Sequence, residues 1–142
     1  MYQLALLAAD LTEDTGLVVE RAAALAAAGT RLIALHVIEP LALAYGAEMP
    51  VDLGTLQEEV SRRARQKLDA LGTQLGIDPS DRLLVTGTIE KEVLRIAAER
   101  GVDLIVIGSH SRRGLAVLLG STANAVLQHA PCDVLAVRIA RH

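Results

Sequence analysis

The chain reads as an α/β protein: a doubly wound, five-stranded parallel sheet with helices on both faces. Three observations predict it. Apolar runs short enough for strands alternate with longer helical patterns, in the order β-α-β-α-β-α-β-α-β. One run, Leu104-Ile105-Val106-Ile107, is apolar without interruption, as a parallel strand covered on both faces must be. The apolar share, 51% of 142 residues, is built from Leu, Val, Ile and Ala with no Phe or Trp, so helices can lie close against a sheet. Right-handed crossovers between parallel strands then require the doubly wound arrangement. Ligands of such sheets sit outside the carboxyl ends of the strands, where the strand order reverses. The length is that of one domain spanning 1–142.

Taken in order, the first strand is Gln3–Ala9, stopped by Asp10. An Ala-rich helix over Leu17–Ala28 ends at Gly29, a residue suited to the left-handed turn that closes a helix. The second strand is Arg31–Val37. The connection Ile38–Gly54, with Pro40, Tyr45, Gly46 and Pro50, is long for a compact domain and has the length of a lid or a partner surface. The helix Thr55–Leu75 places Leu56, Val60, Ala64, Leu68, Leu71 and Leu75 on one stripe and ends at Gly76. Strand Arg82–Thr86, helix Glu90–Arg100 closed by Gly101, and strand Leu104–Ile107 closed by Gly108 follow. Helix Ser121–His129 stops short of Pro131, and strand Asp133–Ile139 completes the set.

Charge and cysteine content narrow the function classes. A net charge of −3 and a pI of about 5.8 give no overall field for nucleic acid or anionic membranes. The run Arg62-Arg63-Ala64-Arg65 reads as the solvated face of a helix. A single cysteine, Cys132, excludes an intrachain disulfide and suits a reducing cytoplasm, where Cys132 serves as a small packed residue. The run Leu4 to Ala9 is too short for a signal segment and no basic stretch precedes it. No run approaches membrane-spanning length. The expected compartment is the cytoplasm.

The most informative stretch runs from the fourth strand through Gly108-Ser109-His110-Ser111-Arg112-Arg113-Gly114, then to Gly120-Ser121-Thr122 at a helix start. Unpaired backbone N–H groups at such a turn and helix start suit an anion, so the layout suggests a phosphate cradle. An ordinary strand-to-helix connection with a Ser N-cap has the same residues. Three nucleotide- or phosphate-handling α/β folds are excluded. A dinucleotide-binding fold needs Gly-x-Gly-x-x-Gly after the first strand, where this chain has Ala8-Ala9-Asp10-Leu11-Thr12. A Walker loop needs Gly-Lys-Ser/Thr, and the two lysines, Lys67 and Lys91, lie in helical patterns. A phosphoacceptor receiver needs an Asp after the third strand and a Lys after the fifth, where Thr86-Gly87 and Arg138 stand.

Five short motifs in order resemble the universal stress protein family across nearly the whole chain. They are Leu7-Ala8-Ala9-Asp10-Leu11-Thr12, Ile33-Ala34-Leu35-His36-Val37-Ile38, Gly87-Thr88-Ile89, Asp103 to His110, and Ala130-Pro131-Cys132-Asp133-Val134-Leu135-Ala136-Val137. The resemblance implies the adenine nucleotide alpha hydrolase-like arrangement of the predicted fold. It also implies a stress-response regulatory role. In the family's nucleotide-binding branch the phosphate motif is glycine, two residues, glycine, nine residues, glycine, then Ser or Thr. This chain has Ser111 at the second glycine and eight residues, 112 to 119, before Gly120-Ser121. A Cβ at Ser111 resists a positive-φ turn, while its hydroxyl and the charges of Arg112 and Arg113 supply other phosphate partners. The long Ile38–Gly54 connection resembles the universal stress protein A class, which lacks tight ATP binding.

Carried over position by position, the resemblance implies a site for ATP or another adenine nucleotide, with Mg²⁺ carried by the nucleotide, at the ends of strands one and four. Asp10, beside Ala8, would meet the base or ribose; as a surface acid it would do neither. Val37 would hold the adenine through its backbone groups and side chain, or simply pack. Gly108, Ser121 and Thr122, with Gly120, would face phosphates, or cap. Ser111 and Arg112 join them, and His110 either points into the phosphate region or is exposed. His36 reads as a half-buried, hydrogen-bonded strand histidine, and His129 and His142 lack partners at ligand spacing, so no protein metal site is expected. No nucleophile, base and orienter triple is visible, so no catalytic residues are assigned. The final strand, Asp133 to Ile139, lies at a sheet edge by the resemblance, and pairing of two copies there would give a homodimer. Three functions stand open: a nucleotide-responsive switch, a nucleotide-independent homodimeric adaptor, and a slow ATPase or self-phosphorylating protein.

Overall fold

The computed structural model describes residues 1–11, 16–40, 53–110 and 121–139. The elements are β1 (Leu4–Ala8), α1 (Gly16–Ala27), β2 (Arg31–Ile38), α2 (Leu53–Leu75), a 3₁₀ turn (Pro79–Asp81), β3 (Arg82–Thr86), α3 (Ile89–Arg100), β4 (Leu104–His110), α4 (Ser121–His129) and β5 (Asp133–Ile139). The strands form one five-stranded sheet in the order β3-β2-β1-β4-β5, all parallel. The doubly wound α/β fold is therefore present, with β3 and β5 at the edges.

Side-chain alternation along the strands divides the core into two layers. Ala5 and Leu7 of β1, with Leu104 and Val106 of β4, meet Val18 and Ala22 of α1 and Leu68 and Leu71 of α2. Leu6, Ile33, Leu35, Ile105 and Ile107 turn the other way, onto Val93, Ile96 and Ala97 of α3 and Ala123 and Val126 of α4. With both faces covered, β1 and β4 need the unbroken apolar runs that the sequence supplies.

Helix ends fall near their glycines. Gly101, at φ 63°, follows α3 and donates its N–H back to Ala97 and Ala98. Such left-handed backbone costs glycine nothing and other residues about 1 kcal/mol. Two residues on, just before β4, the Asp103 carboxylate accepts the N–H groups of Gln3 at 2.9 Å and Leu4 at 3.0 Å, which sets β4 beside β1.

Several expectations need correction. Gly108 does not end the fourth strand; β4 runs on to His110, because β5 stays in register beside it at Gly108, Ser109 and His110. The second strand extends one residue, to Ile38, whose carbonyl accepts from Gly87 N–H at 2.9 Å. The first strand is shorter than Gln3–Ala9, although Gln3 and Ala9 each keep one rung to β2. The apolar stripe of α2 is buried only in part. Ala64, Leu68 and Leu71 are covered, whereas Leu56 and Val60 are 43% and 37% exposed. The periodicity is helical along the whole stripe, but among the described residues only its later half meets a covering surface. The turn at Pro79–Asp81 was not foreseen; Asp78 accepts the N–H of Ser80 there, and buried Asp81 takes a forked pair from Arg31. Most of the Ile38–Gly54 connection lies outside the described residues.

Candidate functional site

Unequal strand lengths make the site. Ala8, the last residue of β1, sits level with Leu35 of β2 and Ile107 of β4. β2 then continues to Ile38 and β4 to His110, so their ends stand as walls around a floor formed by Ala8, Ala9 and Asp10. The strand order reverses between β1 and β4, which is where a doubly wound sheet binds ligands. A cavity of about 270 Å³ occupies this notch.

Its surface is mostly apolar: Leu7 and Leu35 at the base, Val18 and Val19 of α1, Leu71 of α2, Ile89 and Val93 of α3. The polar residues lining it are Asp10, His36 and Thr122. Thr122 belongs to the first turn of α4, so the positive dipole end of a helix stands at the rim. Among the described residues, no three His, Cys, Asp or Glu side chains gather as a metal site.

The backbone at the β1–β2 side of the notch has a definite chemistry. Arg31 N–H donates to Gln3 O at 2.9 Å, and Ala9 N–H donates to Leu35 O at 2.8 Å. Alternation along a parallel strand then turns both backbone groups of 31, 33, 35 and 37 toward β1. Ile38, one residue on, turns its carbonyl to the β3 side. Val37 therefore directs its N–H and its C=O into the space past the end of β1. The two rungs that would continue the ladder, Val37 N–H to Ala9 O and Leu11 N–H to Val37 O, are not made. Ala9 O is taken instead by His36 Nδ1 at 2.6 Å. A carbonyl only accepts, so Nδ1 carries the proton. Leu11 has φ 61°, an uncommon conformation for a bulky residue, and it turns the chain off the ladder.

Of the residues singled out from sequence, Ala8, Asp10, Val37, Gly108 and Thr122 line this cavity. Gly108 has a packing reason to be glycine: a Cβ there would lie 2.8 Å from Ile139 Cδ1 and 3.3 Å from Val18 Cγ2. Ser121 opens α4 and is exposed, next to Thr122 but not on the cavity wall. His110 is the last residue of β4. Ser111, Arg112 and Gly120 lie outside the described residues, as does the side chain of His110. Sequence reasoning placed His36 correctly as half-buried and hydrogen-bonded but missed that it borders the cavity. Strand alternation carried through from Arg31 could have found it. Cys132 packs against the α3–α4 layer, and burial pushes its thiol above the ordinary range, away from reactivity.

Comparison with known proteins places this geometry in context. The model of the universal stress protein family matches residues 1–138. Universal stress protein A homolog 2 of Coxiella burnetii is 40% identical over 138 residues, 96% of this chain and 93% of its own length. Homolog 1 of the same organism is 36% identical over 138 residues, 96% of each chain. Among solved structures, that of hypothetical protein MJ0577 superposes with a TM-score of 0.81 at 24% identity, covering 100% of this chain and 99% of its own. A universal stress protein in complex with cAMP superposes with a TM-score of 0.60 at 21% identity, covering 98% of each chain. At these identities the two structures speak to the fold alone.

Proposed function

Because the chain belongs to the universal stress protein family, we propose that it is a stress-response regulatory protein that takes ATP or a related adenine nucleotide in the notch past the end of β1. The observation that carries this reading is the pair of off-ladder backbone groups on Val37, set in an apolar cavity where the strand order reverses. The edge of adenine presents an amine donor beside a ring-nitrogen acceptor. Val37 C=O and N–H are the matching acceptor and donor. Apolar walls exclude water from the ring and strengthen both bonds.

The remaining parts of the ligand follow from size and charge. About 270 Å³ is just under the roughly 300–1,000 Å³ of pockets that enclose a whole drug-sized ligand. It suits a base and part of a sugar. The Asp10 carboxylate at the floor would accept from sugar hydroxyls or the amine, and the phosphates would leave the cavity past Gly108 toward the start of α4. The N–H groups there, with Thr122 and Ser121, would offer donors to an anion, and Ser111, Arg112 and Gly120 are the further candidates named from sequence. Any Mg²⁺ would arrive on the phosphates. That a structural neighbour is a complex with cAMP supports an adenine nucleotide as the first ligand to test.

Thr122→Asp separates binding from folding. An acidic residue in the first turn of α4 favours the helix, so the variant should melt no lower than the parent. The same carboxylate repels phosphate, and calorimetric affinity for ATP, ADP, AMP or cAMP should fall at least about tenfold, some 1.4 kcal/mol. Unchanged affinity in that variant would mean the phosphates lie elsewhere. A second reading, a nucleotide-independent homodimeric adaptor, is favoured by β5. It is an edge strand with Leu135 36% exposed. Absence of heat and of any thermal shift with all four nucleotides would leave that reading.

A further inference from the structure

We propose that His36 is the positioning residue that keeps the nucleotide's place open, by occupying the one carbonyl that would otherwise close it. The ligand part of this inference rests on the nucleotide reading above; the backbone part does not. Along β1 and β2 the rungs alternate without fault from Gln3 to Leu35, and the last is Ala9 N–H to Leu35 O at 2.8 Å. The next acceptor in the series is Ala9 O and the next donor is Val37 N–H. Both residues are present and adjacent to that last rung. The carbonyl is nevertheless held by the imidazole, at 2.6 Å.

The imidazole can do this because of where alternation puts it. His36 turns its backbone groups to β3, level with Leu84, and its side chain to the α1–α2 face of the sheet. Ala9 packs on that same face. Nδ1 thus reaches Ala9 O from that face, and the bond from Val37 N–H to the same oxygen is not made. A buried acceptor seldom stays unpaired, so removing the imidazole leaves Val37 N–H as the nearest replacement. The strands would then zip one rung further, and the donor that faces the cavity would be spent. The residue's role is therefore to end the ladder one rung early, so that a ligand and not the protein completes it.

Val37's amide proton reports on this directly in ligand-free protein by ¹⁵N NMR. In the parent chain its exchange rate and temperature coefficient should be those of an unbonded N–H. In His36→Leu, an apolar replacement in a half-buried strand position, they should become those of a bonded one, with the rest of β2 unchanged. His36→Asn keeps an amide donor near the Nδ1 position and should resemble the parent. His36→Gln sets the donor too far out and should resemble His36→Leu, which guards against a leucine variant that fails to fold. Affinity for ATP or cAMP should fall about tenfold or more in the leucine and glutamine variants and be largely kept by asparagine. A Val37 amide already bonded in the parent, or one that His36→Leu leaves unaltered, overturns the proposal. If no nucleotide binds the parent chain at all, the amide measurements still decide the role of His36, and only the ligand reading falls.

Discussion

Gly72 lies in the middle of α2, where alanine would ordinarily stabilise the helix by about 1 kcal/mol. Here its missing side chain is a passage. A Cβ at Gly72 would come 2.1 Å from Arg82 Nε and 2.5 Å from Arg82 Cδ. The arginine crosses at that point to donate to Ile77 O at 2.9 Å and to Asp69 O at 3.3 Å, and its side chain is only 12% exposed. Gly72→Ala should therefore lower stability by about 1–3 kcal/mol, the usual cost of overpacking, against the propensity trend. Urea unfolding measures it. Adding Arg82→Ala should recover part of the loss, and equal additive losses would show that the two side chains do not compete. Gly108 is a milder case, because the atom a Cβ would meet first is the tip of Ile139.

At the scale of elements, the entry of β4 depends on one carboxylate. Asp103 accepts from Gln3 and Leu4 of the β1 segment, and those two N–H groups hold its pKa below the ordinary 3.8. Glu59 is drawn down to about 2 by Arg62 and then Arg63, and Arg95 lowers Glu92. A carboxylate depressed by folding contributes stability above its unfolded pKa and loses it as pH falls through the folded one. The melting temperature should therefore fall as pH drops below the ordinary carboxylate range, through the lowered pKa of Asp103. Exposed helical pairs such as Glu59–Arg62 contribute little, so Glu59→Gln should leave the curve nearly unchanged. Asp103→Asn should lower the melting temperature at neutral pH and flatten the acid limb, as read by circular dichroism. A steep limb surviving in that variant would assign the acid response to other carboxylates.

For the whole molecule, the sheet order leaves β5 with one neighbour, β4. An apolar edge strand is a template for another strand, and two copies pairing antiparallel about a twofold axis satisfy both edges at once. The homodimer proposed above would form through Asp133–Ile139. Leu135→Glu should shift it to monomer, with dissociation constants at least about tenfold weaker in sedimentation, since like charges would meet across the axis. A dimer unaffected by that change would place the contact on another face. No helix among the described residues is long and apolar enough to cross a membrane.

The elements were legible because their signals are local. Leu104-Ile105-Val106-Ile107 declares a strand covered on both faces, and Gly29, Gly76 and Gly101 declare helix ends, through the conformational preferences of the residues themselves. Ala8, Asp10, Val37, Gly108 and Thr122, named from the motifs, line the same cavity. What tertiary structure alone decided was pairing across distance. The exposure of Leu56 and Val60 depends on where the sheet lies beneath α2, the glycine at 72 on an arginine ten residues away, and the run of β4 to His110 on the rungs β5 provides. The off-ladder Val37 stands beside a histidine that meets a carbonyl just past the end of β1. Periodicity is a property of a segment and its own side chains. A rung, a fork or a cavity belongs to the register between segments, and that is set only when the whole sheet has assembled.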